Sequence, residues 1–141
     1  MLLFEGDIYL DTCLSLANRE NGFRLEANGT VSIVDSHAFS NSLHGVLLVG
    51  SPLSTLIQRT LISSSGKNGI RIEKTPDKFI TIKIHGVNLT GHYYSAAVEV
   101  EDATDLDFEM NCCFVTDNFN GGVNLDGITA NSTVCPICYA V

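Results

Sequence analysis

Tryptophan is absent from the 141 residues, proline occurs three times, and only eight residues are basic. Each shortage closes something off. Binding nucleic acid takes clustered Lys and Arg that displace counterions. Eight scattered basic residues against sixteen acidic ones, a formal net charge of −8, speak against a nucleic-acid partner. No apolar run approaches the length of a membrane-spanning helix, so no membrane partner is expected. The opening Met1-Leu2-Leu3-Phe4 is interrupted by Glu5 and Asp7 and preceded by no basic region, so no signal peptide is expected. No segment keeps a 3.6-residue apolar period beyond about two turns, which leaves β-structure as the expectation. The missing tryptophan takes away one of the best rings for stacking on sugars.

What the chain has instead is a repeat. Gly22-Phe-Arg-Leu, Gly45-Val-Leu-Leu, Gly69-Ile-Arg-Ile, Ala97-Val-Glu-Val and Gly122-Val-Asn-Leu are five copies of one motif, at steps of 23, 24, 28 and 25 residues. A small residue is followed by apolar, variable and apolar positions, the alternation of a strand with one buried face. Second alternating runs follow in most units, as at Val31 and Ile33, Ile80 to Ile84, and Leu106 to Met110. Asn, Ser, Gly and Asp fill the intervals, as in Asn28-Gly29 and Ser63-Ser64-Ser65-Gly66. A period in this range marks stacked repeats. With several short strands per period, like strands pair in parallel one coil along. The expected architecture is all-β, a right-handed parallel β-helix of about five coils. Residues 1–20 are expected to form an N-terminal cap or irregular first coil. Residues 21–141 are expected to hold the helix and a short C-terminal covering segment.

This pattern resembles the pectate lyase-like β-helix superfamily, which includes polysaccharide lyases, polygalacturonase-type hydrolases and bacteriophage tailspikes. The resemblance spans roughly residues 20–130 and implies fold rather than activity. Within it, Leu43-His44-Gly45 followed by Arg71-Ile72-Glu73-Lys74 is similar to the Gly-His-Gly and Arg-Ile-Lys signatures of polygalacturonases. That family also needs paired aspartates about one coil before the His, where this chain has Asn21 and Gly22. Glycoside hydrolysis needs one carboxyl to protonate the leaving oxygen and another to activate water or attack, so His44 and Arg71 alone do not suffice.

Stacking the units predicts surface columns. The first is Arg24, Leu47, Arg71, Glu99, Asn124 and the second is Glu26, Val49, Glu73, Glu101, Asp126. Three carboxylates in line, Glu73, Glu101 and Asp126, are the catalytic candidates if the protein is an enzyme. A solvated acidic face relieved by Arg71 or Lys74 is the alternative. The longest step is expected to carry its excess around His85 to Ser95, where Gly91-His92-Tyr93-Tyr94 is an aromatic cluster suited to a binding groove. Arg71, Glu99, His92, Tyr93 and Tyr94 are therefore the ligand-binding candidates.

Of the five cysteines, Cys13 stands alone and Cys112, Cys113, Cys135 and Cys138 lie in the last quarter. Cys135-Pro-Ile-Cys138 has the spacing of a metal or redox pair, but no His lies near in sequence, and packing in a repeat core is the expected role. No metal and no cofactor are expected. Asn28, Asn88 and Asn131 match the glycosylation pattern by chance in a fold rich in Asn, Ser and Thr.

Function is expected to be that of a non-catalytic module for surface-glycan binding or fibre building, as in a phage tailspike or tail appendage. The alternative is a polysaccharide lyase or glycoside hydrolase, or a fragment of one. The partners expected are a polysaccharide or surface glycan and further copies of the chain, as a trimer or larger assembly. The location expected is virion-associated or extracellular.

Overall fold

The computed structural model describes residues 2–4, 6–50, 52–73, 78–101, 105–119, 122–125 and 132–134, with 2–4 and 132–134 described by backbone alone. Asp126, Lys74, Cys135 and Cys138 lie outside the described residues. Seventeen short strands, and no helix among the described residues, form three sheets. Sheet A stacks β1 (Leu2–Phe4), β4 (Phe23–Ala27), β7 (Val46–Val49), β10 (Ile70–Glu73), β13 (Val98–Glu101) and β16 (Val123–Leu125). Sheet B stacks β2 (Ile8–Asp11), β5 (Thr30–Val34), β8 (Ser54–Gln58), β11 (Ile80–His85), β14 (Leu106–Asn111) and β17 (Ser132–Val134). Sheet C stacks β3 (Leu14–Leu16), β6 (His37–Phe39), β9 (Leu61–Ser63), β12 (Asn88–Thr90) and β15 (Phe114–Thr116).

Successive strands never pair with each other. Each pairs in parallel with the strand three places along, so three strands make one turn of a parallel β-solenoid. The number of turns is close to the five expected. Strands β1, β2 and β3 lie in the first twenty residues and pair with β4, β5 and β6 at Leu2↔Leu25, Ile8↔Val31 and Leu14↔His37.

Alternation in the sequence becomes columns in the interior. Leu25, Leu48, Ile72, Val100 and Leu125 share one register column of sheet A, and Ile33, Ile57, Ile84 and Met110 one of sheet B. Sheet C adds Ala38, Ile62, Leu89 and Val115. Nearly all are buried, and each large aliphatic contributes roughly 1.5–3 kcal/mol when fully removed from water.

The repeat glycines follow from crowding where one coil passes over the next. A Cβ on Gly45 would run into Ile62 Cγ2 and lie 2.8 Å from the Gly69 carbonyl oxygen. One on Gly69 would meet Leu89 Cδ2 at 2.7 Å and the Ala97 carbonyl at 2.9 Å.

The other corners turn on a single left-handed residue. Thr12, Asp35, Arg59, Gly86 and Cys112 follow the sheet B strands, and Ala17, Ser40, Ser64, Gly91 and Asp117 follow the sheet C strands, all with positive φ. The N–H groups of the first four residues in each set continue the ladder across the bend, as Asp35 to Gln58 O (3.1 Å) and Ser40 to Ser63 O (3.1 Å). That hydrogen bond offsets a conformation unfavourable to side chains bearing a Cβ.

Cys13, Ser36, Thr60, Val87 and Cys113 come next at the B-to-C corner. Ser36 Oγ donates to Val34 O (2.8 Å) and Thr60 Oγ1 to Gln58 O (2.9 Å). Cys113 Sγ makes the same contact with Asn111 O (3.2 Å), and Cys13 Sγ with Asp11 O (3.5 Å). These two thiols are corner packing, interchangeable in shape with the hydroxyls beside them. Cys112 is free and exposed.

The extra residues of the longest coil are not where the sequence suggested. Gly45 to Ser54 spans nine residues, whereas Gly69 to Thr81, the register partner of Ser54, spans twelve. From Leu61 to Gly69 is eight, and from its partner Asn88 to Ala97 is nine. Most of the excess therefore lies between Glu73 and Ile80, and only one residue falls in the 91–97 link. The aromatic cluster misdirected the expectation, because the Tyr pair marks an ordinary corner lengthened by one position.

Candidate functional site

The outward columns of sheet A have the predicted register. Arg71 pairs with Leu47 on one side and Glu99 on the other, and Glu73 with Val49 and Glu101. Parallel strands about 4.8 Å apart bring Glu73, Glu99 and Glu101 within reach of one guanidinium. Arg71 Nε donates to Glu73 Oε1 at 3.2 Å, Nη1 lies 3.2 Å from Glu99 Oε2, and Nη2 donates to Glu101 Oε1. The planar fork of Arg suits several carboxylates at once, which Lys could not match. Three like charges on neighbouring rungs would otherwise repel.

Beside this cluster lies a cavity of about 420 Å³ lined by His44, Lys67, Asn68, Arg71, Glu73, Tyr94, Ser95 and Glu99. Tyr94, from the 91–97 link, is 74% exposed. Asn68 is 1% exposed and closes the floor, its Nδ2 donating to Glu99 Oε2 (2.8 Å) and Ala96 O (2.9 Å) while its Oδ1 is unsatisfied. Lys67 makes no ion pair among the described residues.

No family model, curated protein or solved structure matches the chain. The site must be read from its own chemistry.

His44 occupies the position before the repeat glycine, the place of Asn21 and Asn68 in the neighbouring coils. Asn21 Oδ1 accepts the N–H of His44 (3.2 Å), and His44 Nδ1 accepts the N–H of Asn68 (3.3 Å). The imidazole is thus a rung in a ladder of side-chain acceptors for backbone donors, with its proton on Nε2. Burial, reinforced by the Arg71 and Lys67 charges, pushes its pKa down to about 4. It is a neutral hydrogen-bonding group at ordinary pH.

His92, a ligand-binding candidate from the sequence, does not line this cavity. It is 1% exposed and belongs to a second internal ladder, Asn18, Asn41, Ser65, His92 and Asn118. Asn41 Oδ1 accepts the Asn18 N–H (3.1 Å), His92 Nδ1 the Ser65 N–H (3.4 Å), and Asn118 Oδ1 the His92 N–H (3.2 Å). Burial lowers its pKa to about 4, with the Ile62 backbone opposing weakly. Its ring lies against Gly69, where a Cβ would meet Nε2 at 2.5 Å. Tyr93 is 59% exposed but does not line the cavity.

The structure therefore brings Arg71, Glu73, Glu99, Glu101 and Tyr94 together and sets His92 apart. Lys67, Asn68 and Ser95 were missed. Asn68 was legible by phase, since it shares its place in the coil with Asn21 and His44. No group of three or more His, Cys, Asp or Glu among the described residues has metal-site geometry. A smaller cavity of about 210 Å³ on sheet B is lined by Leu56, Gln58, Lys83, His85, Glu109 and Asn111. Lys83 and Glu109 face each other across it at 3.7 Å.

Proposed function

We propose that this chain is a non-catalytic β-solenoid module that holds a surface glycan against the wall of sheet A. The observation that carries this reading is the engagement of Arg71 with Glu73, Glu99 and Glu101. A carboxylate already accepting from a guanidinium is poorly placed to serve as a proton donor. The cavity also offers what a sugar ring needs: an exposed aromatic face at Tyr94 and a mixed set of donors and acceptors from His44, Lys67, Asn68 and Ser95. The module is placed in a trimeric fibre or tail appendage, virion-associated or extracellular, by analogy with the tailspikes among the β-helix proteins that its repeat resembles.

A second reading has one observation in its favour. Glu73 and Glu101 are register partners on adjacent coils, close enough to act on one group. A polysaccharide lyase or hydrolase built on them would release oligosaccharides. Incubating the protein with immobilised and soluble polysaccharides separates the two. Retention that Tyr94→Ala weakens, with no product formed, is the expected result. Oligosaccharide release lost in Glu101→Gln would replace the proposal with the enzyme. No retention on any glycan and no product would remove both.

A further inference from the structure

Three Asn-Gly pairs fall within the described residues, Asn21-Gly22, Asn28-Gly29 and Asn68-Gly69, and the fold treats them differently. We propose that Asn28 is a site of spontaneous covalent modification, converting through a cyclic imide to aspartate and isoaspartate while Asn21 and Asn68 are protected. The chemistry is intramolecular. The Gly29 amide nitrogen, once deprotonated, attacks Asn28 Cγ and forms the N–Cγ bond; the Cγ–Nδ2 bond breaks and ammonia leaves with the proton. Water then opens the five-membered imide. Cleaving one C–N bond leaves an ordinary aspartate in place of the asparagine, and cleaving the other routes the main chain through the side chain as isoaspartate. Asparagine and water go in, and the acid and ammonia come out, with no oxidant or reductant.

Two requirements decide which pair reacts. The asparagine side chain must be free to swing onto the following nitrogen, and that nitrogen must be available. Asn28 occupies the two-residue link between β4 and β5, is exposed, and makes no side-chain hydrogen bond among the described residues. The Gly29 N–H donates only over 3.2 Å, to Gly6 O. Asn21, by contrast, holds the His44 N–H on its Oδ1, and the Gly22 N–H donates to His44 O at 2.8 Å. Asn68 is 1% exposed and its Nδ2, the leaving nitrogen, donates to both Ala96 O and Glu99 Oε2.

The reactive pair is also built in. A Cβ on Gly29 would run into Asp7 Oδ1 and lie 2.7 Å from Gly6 O, so the fold admits only glycine there, the least hindered nucleophile. The product disturbs the same contact. Asp7 Oδ1 accepts the Thr30 N–H at 2.6 Å. A new carboxylate two residues before Thr30, with a longer backbone in the isoaspartyl form, sets charge and register against this side-chain contact between the first coil and the second.

The test is peptide mapping of the folded protein, and of the same protein in denaturant, after parallel incubation at mildly alkaline pH. In the denatured chain all three pairs should gain the mass of deamidation at similar rates. In the folded chain Asn28 should react within a few-fold of its denatured rate. Asn21 and Asn68 should slow by about tenfold or more, because they wait for local opening. Isoaspartate at residue 28 should be detected by isoaspartyl methyltransferase labelling, and an Asn28→Ser control should abolish it. A folded protein in which Asn28 is as protected as Asn68, or in which all three react in the denatured proportions, overturns the proposal.

Discussion

Two buried histidines standing in asparagine positions make this solenoid sensitive to acid in a way that its surface does not. The perturbation is a fall in pH from 7.5 to about 4. In the fold, His44 and His92 each accept a backbone N–H on Nδ1 and have pKa values pushed down to about 4; in the unfolded chain they return to 6.5. A folded value below the unfolded one means that the unfolded state takes up the proton first. Stability from these groups is therefore complete above about 6.5, falls as pH drops toward 4, and levels off below. The interval from 6.5 to about 4 is worth about 3 kcal/mol per histidine, and at pH 5 about 2 kcal/mol of that is already lost. The assay is the urea midpoint of wild type, His44→Asn, His92→Asn and the double variant at a series of pH values. Asn supplies an Oδ1 acceptor of the kind Asn41 and Asn118 already use. Each substitution should cost about 1 kcal/mol at pH 7.5 for the smaller side chain, and remove about 2 kcal/mol of the loss between pH 7.5 and 5. Carboxylates titrate in all four proteins and cancel in the comparison. A His92→Asn variant whose pH dependence overlays that of wild type would refute the ladder role.

Gly45→Ala should destabilise by roughly 1–3 kcal/mol, because its Cβ has nowhere to go between Ile62 and Gly69. Gly91→Ala should cost only about 1 kcal/mol, since there the Cβ meets Ser64 Oγ at a comfortable 3.7 Å and only φ is unfavourable. Equal losses in denaturant midpoints would contradict the crowding argument. Arg71→Gln should lower the melting temperature more at low salt than at 1 M salt, where the Debye length shrinks to about 3 Å. A salt-independent loss would mean that Arg71 acts through packing instead of through the three carboxylates. Cys113→Ser should cost less than about 1.5 kcal/mol by thermal unfolding, as Ser36 and Thr60 fill the same corner.

Much of the fold was legible because the repeat glycine fixes phase and the alternation fixes face. Once Gly22, Gly45, Gly69, Ala97 and Gly122 were aligned, the columns Arg24–Leu47–Arg71–Glu99–Asn124 and Glu26–Val49–Glu73–Glu101 followed, and the pairing reproduces them. The corners were not legible. Turn chemistry anticipates Gly, Asn or Asp at positive φ, yet Thr12, Ala17, Arg59 and Ser64 take that conformation because the ladder hydrogen bond above outweighs local preference. The site was half legible for a related reason. His44 drew attention through a glycine-flanked motif and His92 through its tyrosine neighbours, whereas their common role depends on which residues stand one coil away. Asp126, the third carboxylate of the predicted column, lies outside the described residues.

The three corners of each coil differ in how much variation they accept. The B-to-C corner is always two residues, from Thr12-Cys13 through Cys112-Cys113, and the C-to-A link is six residues in four coils and seven in one. The A-to-B link runs from two residues at 28–29 to four at 50–53 and six at 74–79. Close stacking at the B-to-C corner and near-constant length at the C-to-A link leave the A-to-B link as the place where the described coils add most chain without shifting the register of anything above or below it. A peptide or a small domain grafted between Val49 and Ser54 would therefore be displayed from the side of the rod, and a row of such grafts would be spaced by a single strand separation.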